Sequence, residues 1–120
     1  VEALENLAAP FQATGQSAVF LAVDRQAVAA LLVSDPIKTT TPEALAQLQA
    51  LGVDVVMITG DNERTARRIA TELGIRRFHA GVTPQDKHRL IGEWKADGAV
   101  VGMAGDGIND APALAEADVG

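Results

Sequence analysis

Three short stretches of this chain carry residue types that could do chemistry. Thr59, Gly60 and Asp61 set a hydroxyl, a residue that admits close backbone approach and a carboxylate side by side after an apolar run, where a helix is expected to start. A phosphate oxygen could be held there by the hydroxyl and free amides; an ordinary Asp or Asn helix cap accounts for the same residues. Gly105-Asp106-Gly107-Ile108-Asn109-Asp110 packs two carboxylates and an amide into a turn that glycine keeps open. Like charges this close repel unless a cation or proton lies between them. Hard oxygen ligands in a small hydrated site suit magnesium, which takes one or two carboxylates and shares the rest of its shell with phosphate and water. A glycine turn followed by an aspartate cap is the plainer alternative. A dinucleotide fingerprint fits poorly, because Asp110 replaces the third glycine and carboxylates would repel a pyrophosphate in the absence of a metal. Lys87, in Thr83-Pro84-Gln85-Asp86-Lys87, adds its charge to the positive end of a helix, which is unfavourable unless an anion is near. It is a candidate phosphate contact, with a solvated surface lysine as the alternative.

The elements that must position these residues follow from periodicity. Val1, Leu4, Leu7, Ala8 and Phe11 recur at helical spacing, and two β-rich runs, residues 17–23 and 27–33, flank Asp24-Arg25-Gln26; the pattern predicts a helix followed by a hairpin. From Asp35 onward strands and helices alternate. Thr40-Thr41-Pro42-Glu43 has capping-box spacing, followed by a stripe of Leu45, Leu48 and Leu51 expected to be buried. Residues 53–58 are apolar and β-branched, as in a strand covered on both faces. A second helix with Ala66, Ile69, Ala70 and Leu73 inward, a short strand at 75–80, a third helix from Thr83 to Gly98, a strand at 99–104 and a last helix around 112–117 complete the series. Such alternation predicts a parallel α/β sheet with helices on both faces, and ligands at the carboxyl ends of its strands. All three chemical stretches should then lie along one edge. Trp94 reads as core, His79 as a strand residue, His88 and Lys95 as solvated, and Arg64, Arg67, Arg68, Arg76 and Arg77 as a solvated face.

Composition narrows the classes. A chain of 120 residues with 48% hydrophobic and 22% charged residues is a single domain's worth of globular sequence, with no room for a second full domain. Its net charge of -6 and pI near 4.7 have the wrong sign for gripping a phosphate backbone, so nucleic acid is not expected as a partner. The absence of cysteine excludes disulfides, thiolate metal sites and a cysteine nucleophile. The longest apolar run, residues 27–33, is far too short for a membrane span, and a soluble chain is expected. It begins at Val1, without a secretory signal, and an upstream portion is expected to be missing.

Together, Thr59-Gly60-Asp61, Lys87 in its Thr-Pro-Gln-Asp-Lys setting, and Gly-Asp-Gly-Ile-Asn-Asp-Ala-Pro-Ala-Leu from Gly105 to Leu114 resemble the phosphorylation domain of P-type cation-transporting ATPases, within the haloacid dehalogenase-like class. Ser34-Asp35-Pro36-Ile37-Lys38 and Gly102-Met103-Ala104 resemble the heavy-metal branch, leaning towards copper or silver pumps. The resemblance implies an incomplete Rossmann-like (haloacid dehalogenase-like) domain at 35–120, preceded at 1–34 by a helix-plus-hairpin remnant of the nucleotide-binding domain, with Asp35 and Pro36 at the hinge. It implies that Asp106 and Asp110 bind Mg2+, with Asn109 completing the polar network. Thr59, Gly60 and Lys87 would contact the phosphoryl group, and Asp61 would arrange that loop and its ATP contacts. The implied partners are the remaining nucleotide-binding, actuator and transmembrane domains of a pump, at the cytoplasmic face of a membrane.

The departures are as informative. The family's Asp-Lys-Thr-Gly-Thr nucleophile motif is absent, so the chain resembles an excerpt that supplies neutralising groups without the attacking one and is expected to be inactive alone. In the resembling fold the nucleophile strand lies between those ending at Ile58 and Ala104. Its absence predicts that these two strands close on each other or that copies self-associate through exposed strand edges. A stand-alone haloacid dehalogenase-like phosphatase would need a nucleophile such as Asp24, which lacks the following motif residues. A non-catalytic binding module is the other alternative.

Overall fold

The computed structural model describes residues 2–13 and 16–120. Its elements, in chain order, are α1 (Glu2–Ala13), β1 (Ser17–Val23), β2 (Gln26–Val33), α2 (Thr41–Ala50), β3 (Val56–Ile58), α3 (Glu63–Glu72), β4 (Arg77–His79), α4 (Pro84–Ala96), a 3-10 turn at Ile108–Asp110 and α5 (Ala111–Glu116). They form a mixed α/β arrangement, with a small parallel sheet and helices. The chain divides into two compact units, one of Val1–Met57 and Asn62–His79, the other of Ile58–Asp61 and Ala80–Gly120.

In the first unit, β1 and β2 form the expected antiparallel hairpin, with a register shift between Leu21 and Ala22. Asp24 and Arg25 at its tip both have positive φ, 48° and 66°, the backbone of a two-residue turn that matches strand twist. Helix α1 packs on this hairpin and buries Ala8. Strand β3 pairs with β4, and α3 buries Ala66 and Ala70, with Ile69 and Leu73 half-buried. Asn62 caps α3 by accepting the Thr65 amide. Arg64, Arg67, Arg76 and Arg77 are exposed as expected, with Arg67 paired to Glu63 and Arg77 to Asp54, but Arg68 is half-buried: its guanidinium reaches Glu72 while its Nε is buried.

Several expectations fail here for a shared reason. The stripe on α2 is not buried: the helix buries none of its residues, and Leu51 is 79% exposed. Separately, Thr40 does not cap α2 through its side chain, because its own backbone is helical (φ -82°, ψ -14°) where a capping residue is extended. The run at 53–58 yields a strand of only three residues, each half-buried rather than covered on both faces. Amphipathic periodicity shows which face of an element is apolar, but burial also requires a partner surface, and the described chain does not supply one for α2.

The second unit has its core at Ile91, Val101 and Ala113, with Ile58, Trp94, Met103 and Ala117 packed around it. Residues 99–104 do not form the predicted strand. A single parallel bridge, Gly102 to Val119, takes its place, and β3 pairs with β4 rather than closing on this run. No described helix is long and apolar enough to cross a membrane.

Candidate functional site

The residues of all three chemical stretches, 59–61, 83–87 and 105–110, lie in the second unit. The loop after β3 is fastened to the segment that enters α4. The Thr59 carbonyl accepts the Val82 amide at 3.0 Å and the Asp61 carbonyl accepts the Gly81 amide at 2.7 Å. Within the loop the Thr59 hydroxyl accepts the Asp61 amide at 3.1 Å, which leaves the hydroxyl hydrogen to donate elsewhere. A methyl group on Gly60 would find its nearest neighbour, the Val82 carbonyl oxygen, at 3.6 Å. The fold therefore tolerates a side chain there.

Helix α4 begins with a full capping box at Thr83 and Asp86, with Pro84 in the first turn. Asp86 is held below the ordinary carboxylate value, first by the hydrogen bond from the Thr83 hydroxyl and then by the Thr83 amide. One turn further in, Lys87 sends its Nζ to Asp110 Oδ1 at 2.7 Å, with the two side chains 16% and 13% exposed. The positive charge that conflicted with the helix end thus has a carboxylate partner, 23 residues away in sequence. Asp110 is pushed below its ordinary value, foremost by the Lys87 hydrogen bond, against an opposing contribution from burial, and further by the charge of Lys87 and the Gly107 backbone.

Asp110 also explains the glycines. A methyl group on Gly105 would lie 2.8 Å from Asp110 Oδ2, and one on Gly107 3.4 Å away, so the carboxylate folds back over a loop that only glycine leaves open at position 105. Asp106 and Asn109 are exposed, and Ile108 is 95% exposed between them. The structure therefore brings together Lys87, Asp110 and Gly105, while the carbonyls of Thr59 and Asp61, on either side of Gly60, accept from residues 82 and 81 just before the cap of the same helix. Among the described residues no three His, Cys, Asp or Glu side chains gather at metal spacing.

One residue here was misjudged from sequence. Lys95 is not a solvated helix end: its Nζ donates to the Glu116 carbonyl at 2.6 Å and lies 3.6 Å from Asp118 Oδ1. No pattern along α4 signals this, because both partners are more than twenty residues downstream.

A haloacid dehalogenase-like hydrolase family model matches residues 2–118. The chain belongs to the haloacid dehalogenase-like hydrolases. This family member is 53% identical, over 106 residues, to a copper-exporting P-type ATPase of Legionella pneumophila, covering 88% of the chain and 14% of that protein. It is 49% identical to a silver exporting P-type ATPase of Salmonella typhimurium, covering 88% of the chain and 13% of that protein. Among solved structures it is similar to a zinc-transporting PIB-type ATPase in the E2.Pi state, with a TM-score of 0.77 and 36% identity, over 98% of the chain and 19% of that structure. This haloacid dehalogenase-like chain thus spans about a seventh of the curated relatives it matches.

Proposed function

We propose that this chain is part of the ATP-hydrolysing unit of a heavy-metal-translocating P-type ATPase, with copper as the cargo, and that it supplies magnesium and phosphoryl contacts for aspartyl-phosphate chemistry. The observation that carries this reading is the Lys87–Asp110 pair, which fixes a glycine-opened carboxylate loop beside the capped start of α4. In this reading residues 1–34 end the nucleotide-binding domain and residues 35–120 belong to the phosphorylation domain, the contacts of α1 with β1 and β2 supporting the first assignment. The partners are the rest of the pump, at the cytoplasmic face of a membrane. Self-association through the open edges of the short strands belongs to the same proposal.

The donor set fits magnesium in chemistry: Asp106 offers an exposed carboxylate, and Asp110 has one oxygen committed to Lys87 and another over the glycines. Bound there, the ion would neutralise charge on phosphoryl oxygens. The chain's own residues do the positioning. Lys87 presents a cation, Thr59 a free hydroxyl hydrogen, and Gly60 a backbone that a phosphate can approach closely. Asn109 completes the polar rim, and Asp61 shapes the loop that would face ATP.

The test is a titration of the isotopically labelled chain with MgCl2 and then inorganic phosphate, followed by amide NMR. Magnesium should shift Gly105, Asp106 and Gly107, and phosphate should shift Thr59, Gly60 and the Lys87 side chain. Asp106→Asn should remove the magnesium response. Shifts spread evenly over the acidic surface, unchanged by Asp106→Asn, would overturn the assignment.

A further inference from the structure

Helix α5 has only six residues, too few to persist alone, and α4 holds it near both ends with a lysine. Near its start Lys87 grips Asp110. At its far end Lys95 reaches across from the last turn of α4 to the carbonyl of Glu116, the final residue of α5, at 2.6 Å. A lysine that merely offset the dipole of its own helix would satisfy carbonyls of that helix; this one serves its neighbour. The same ammonium lies 3.6 Å from Asp118 Oδ1, and that carboxylate's other oxygen accepts the Val101 amide at 2.8 Å. The Asp118 amide in turn donates to the Val101 carbonyl at 2.9 Å, and the Met103 amide to the Val119 carbonyl at 2.8 Å. Residues 101–103 run directly into Gly105 and Asp106. The loop bearing Asp106 is therefore pinned downstream by Lys87 through Asp110 and upstream by Lys95 through Asp118.

We infer that Lys95 is a positioning residue for the Asp106 carboxylate, acting through Asp118 and the backbone of residues 101–103. The inference rests on the proposed magnesium role of Asp106, and its test separates the two. The labelled 120-residue chain is compared with Lys95→Ala and Lys95→Arg by amide NMR, amide exchange and MgCl2 titration. Lys95→Ala should displace the Gly105–Gly107 amide signals, speed exchange at Val101 and Met103, leave Ala66 and Ala70 unchanged, and weaken the magnesium response by about tenfold. Lys95→Arg, whose guanidinium can reach the same oxygens, should restore all three. A Lys95→Ala chain with unmoved Gly105–Gly107 signals and unchanged Val101 exchange overturns the inference. So does a loss of protection throughout α4 that Lys95→Arg fails to rescue, since that marks a purely structural role. If the parent chain gives no magnesium response, the reading of Asp106 fails, and the displaced signals and their rescue by arginine decide the positioning role alone.

Discussion

The carboxylate of Asp110 lies so close over Gly105 that a single methyl group at that position would stand 2.8 Å from Oδ2. Asp110 is also the anchor for Lys87, so one small substitution should disturb both. Gly105→Ala is expected to destabilise the chain by about 1–3 kcal/mol through overpacking, whereas Gly60→Ala, with 3.6 Å of clearance, should stay within about 0.5 kcal/mol. Urea unfolding of the two variants checks this, and equal costs would contradict it.

Acid should weaken the Lys87–Asp110 pair in a definite direction. The folded-state value of Asp110 lies below its unfolded one, so its contribution is complete above the ordinary carboxylate value of about 4, and is lost as pH falls through the lower folded value. Lys87→Met should bring the Asp110 titration midpoint back up, as read from its carboxyl carbon by NMR. A midpoint that stays put would mean that Lys87 is not the cause.

Core and stripe should separate sharply. Ile91 is 1% exposed at the centre of the second unit, and Ile91→Ala should cost about 2–5 kcal/mol. Leu51→Ala, at a site 79% exposed, should change stability by no more than about 0.5 kcal/mol. Thermal unfolding distinguishes them, and a large effect of Leu51→Ala would show that α2 is covered in solution.

Arg25 holds φ at 66° in the hairpin turn, a conformation glycine adopts without strain. Arg25→Gly should therefore sharpen the β1–β2 hairpin and stabilise it by about 0.5–1 kcal/mol. Slower amide exchange across the Ala22–Ala27 pair would register the gain, and faster exchange would refute it.

Incubated with radiolabelled ATP and magnesium, the chain should remain unlabelled after acid quench, because it has no Asp-Lys-Thr-Gly-Thr sequence. Acid-stable, hydroxylamine-sensitive label would reveal another nucleophile.

The legibility of this molecule follows the range of the interactions involved. Local devices are the most legible: the hairpin, the Asn62 cap and the helix start at Thr83 each depend on residues a few positions apart, although the capping box expected at Thr40 forms at Thr83 instead. Lys87 could be flagged because its charge opposes its own helix end, although nothing nearby in sequence names Asp110 as its partner. Lys95 shows no such conflict, sitting where a lysine suits the helix dipole, and so its hold on α5 stays hidden until the chain is folded. The α2 stripe fails in the opposite way, since periodicity records a face meant for burial without recording what buries it.

The bridge between Gly102 and Val119 also has a kinetic consequence. The β1–β2 hairpin closes across a two-residue turn and can form in about 1–10 μs. The bridge must bring together two residues separated by the whole glycine loop, the 3-10 turn and α5, and pairing of that kind is delayed by the entropy of the longer closure. Asp106, Asn109 and Asp110 sit inside that late-closing loop and Lys87 pairs with it, so a chain caught early in folding would already display its hairpin while this part of its chemistry had yet to come into register.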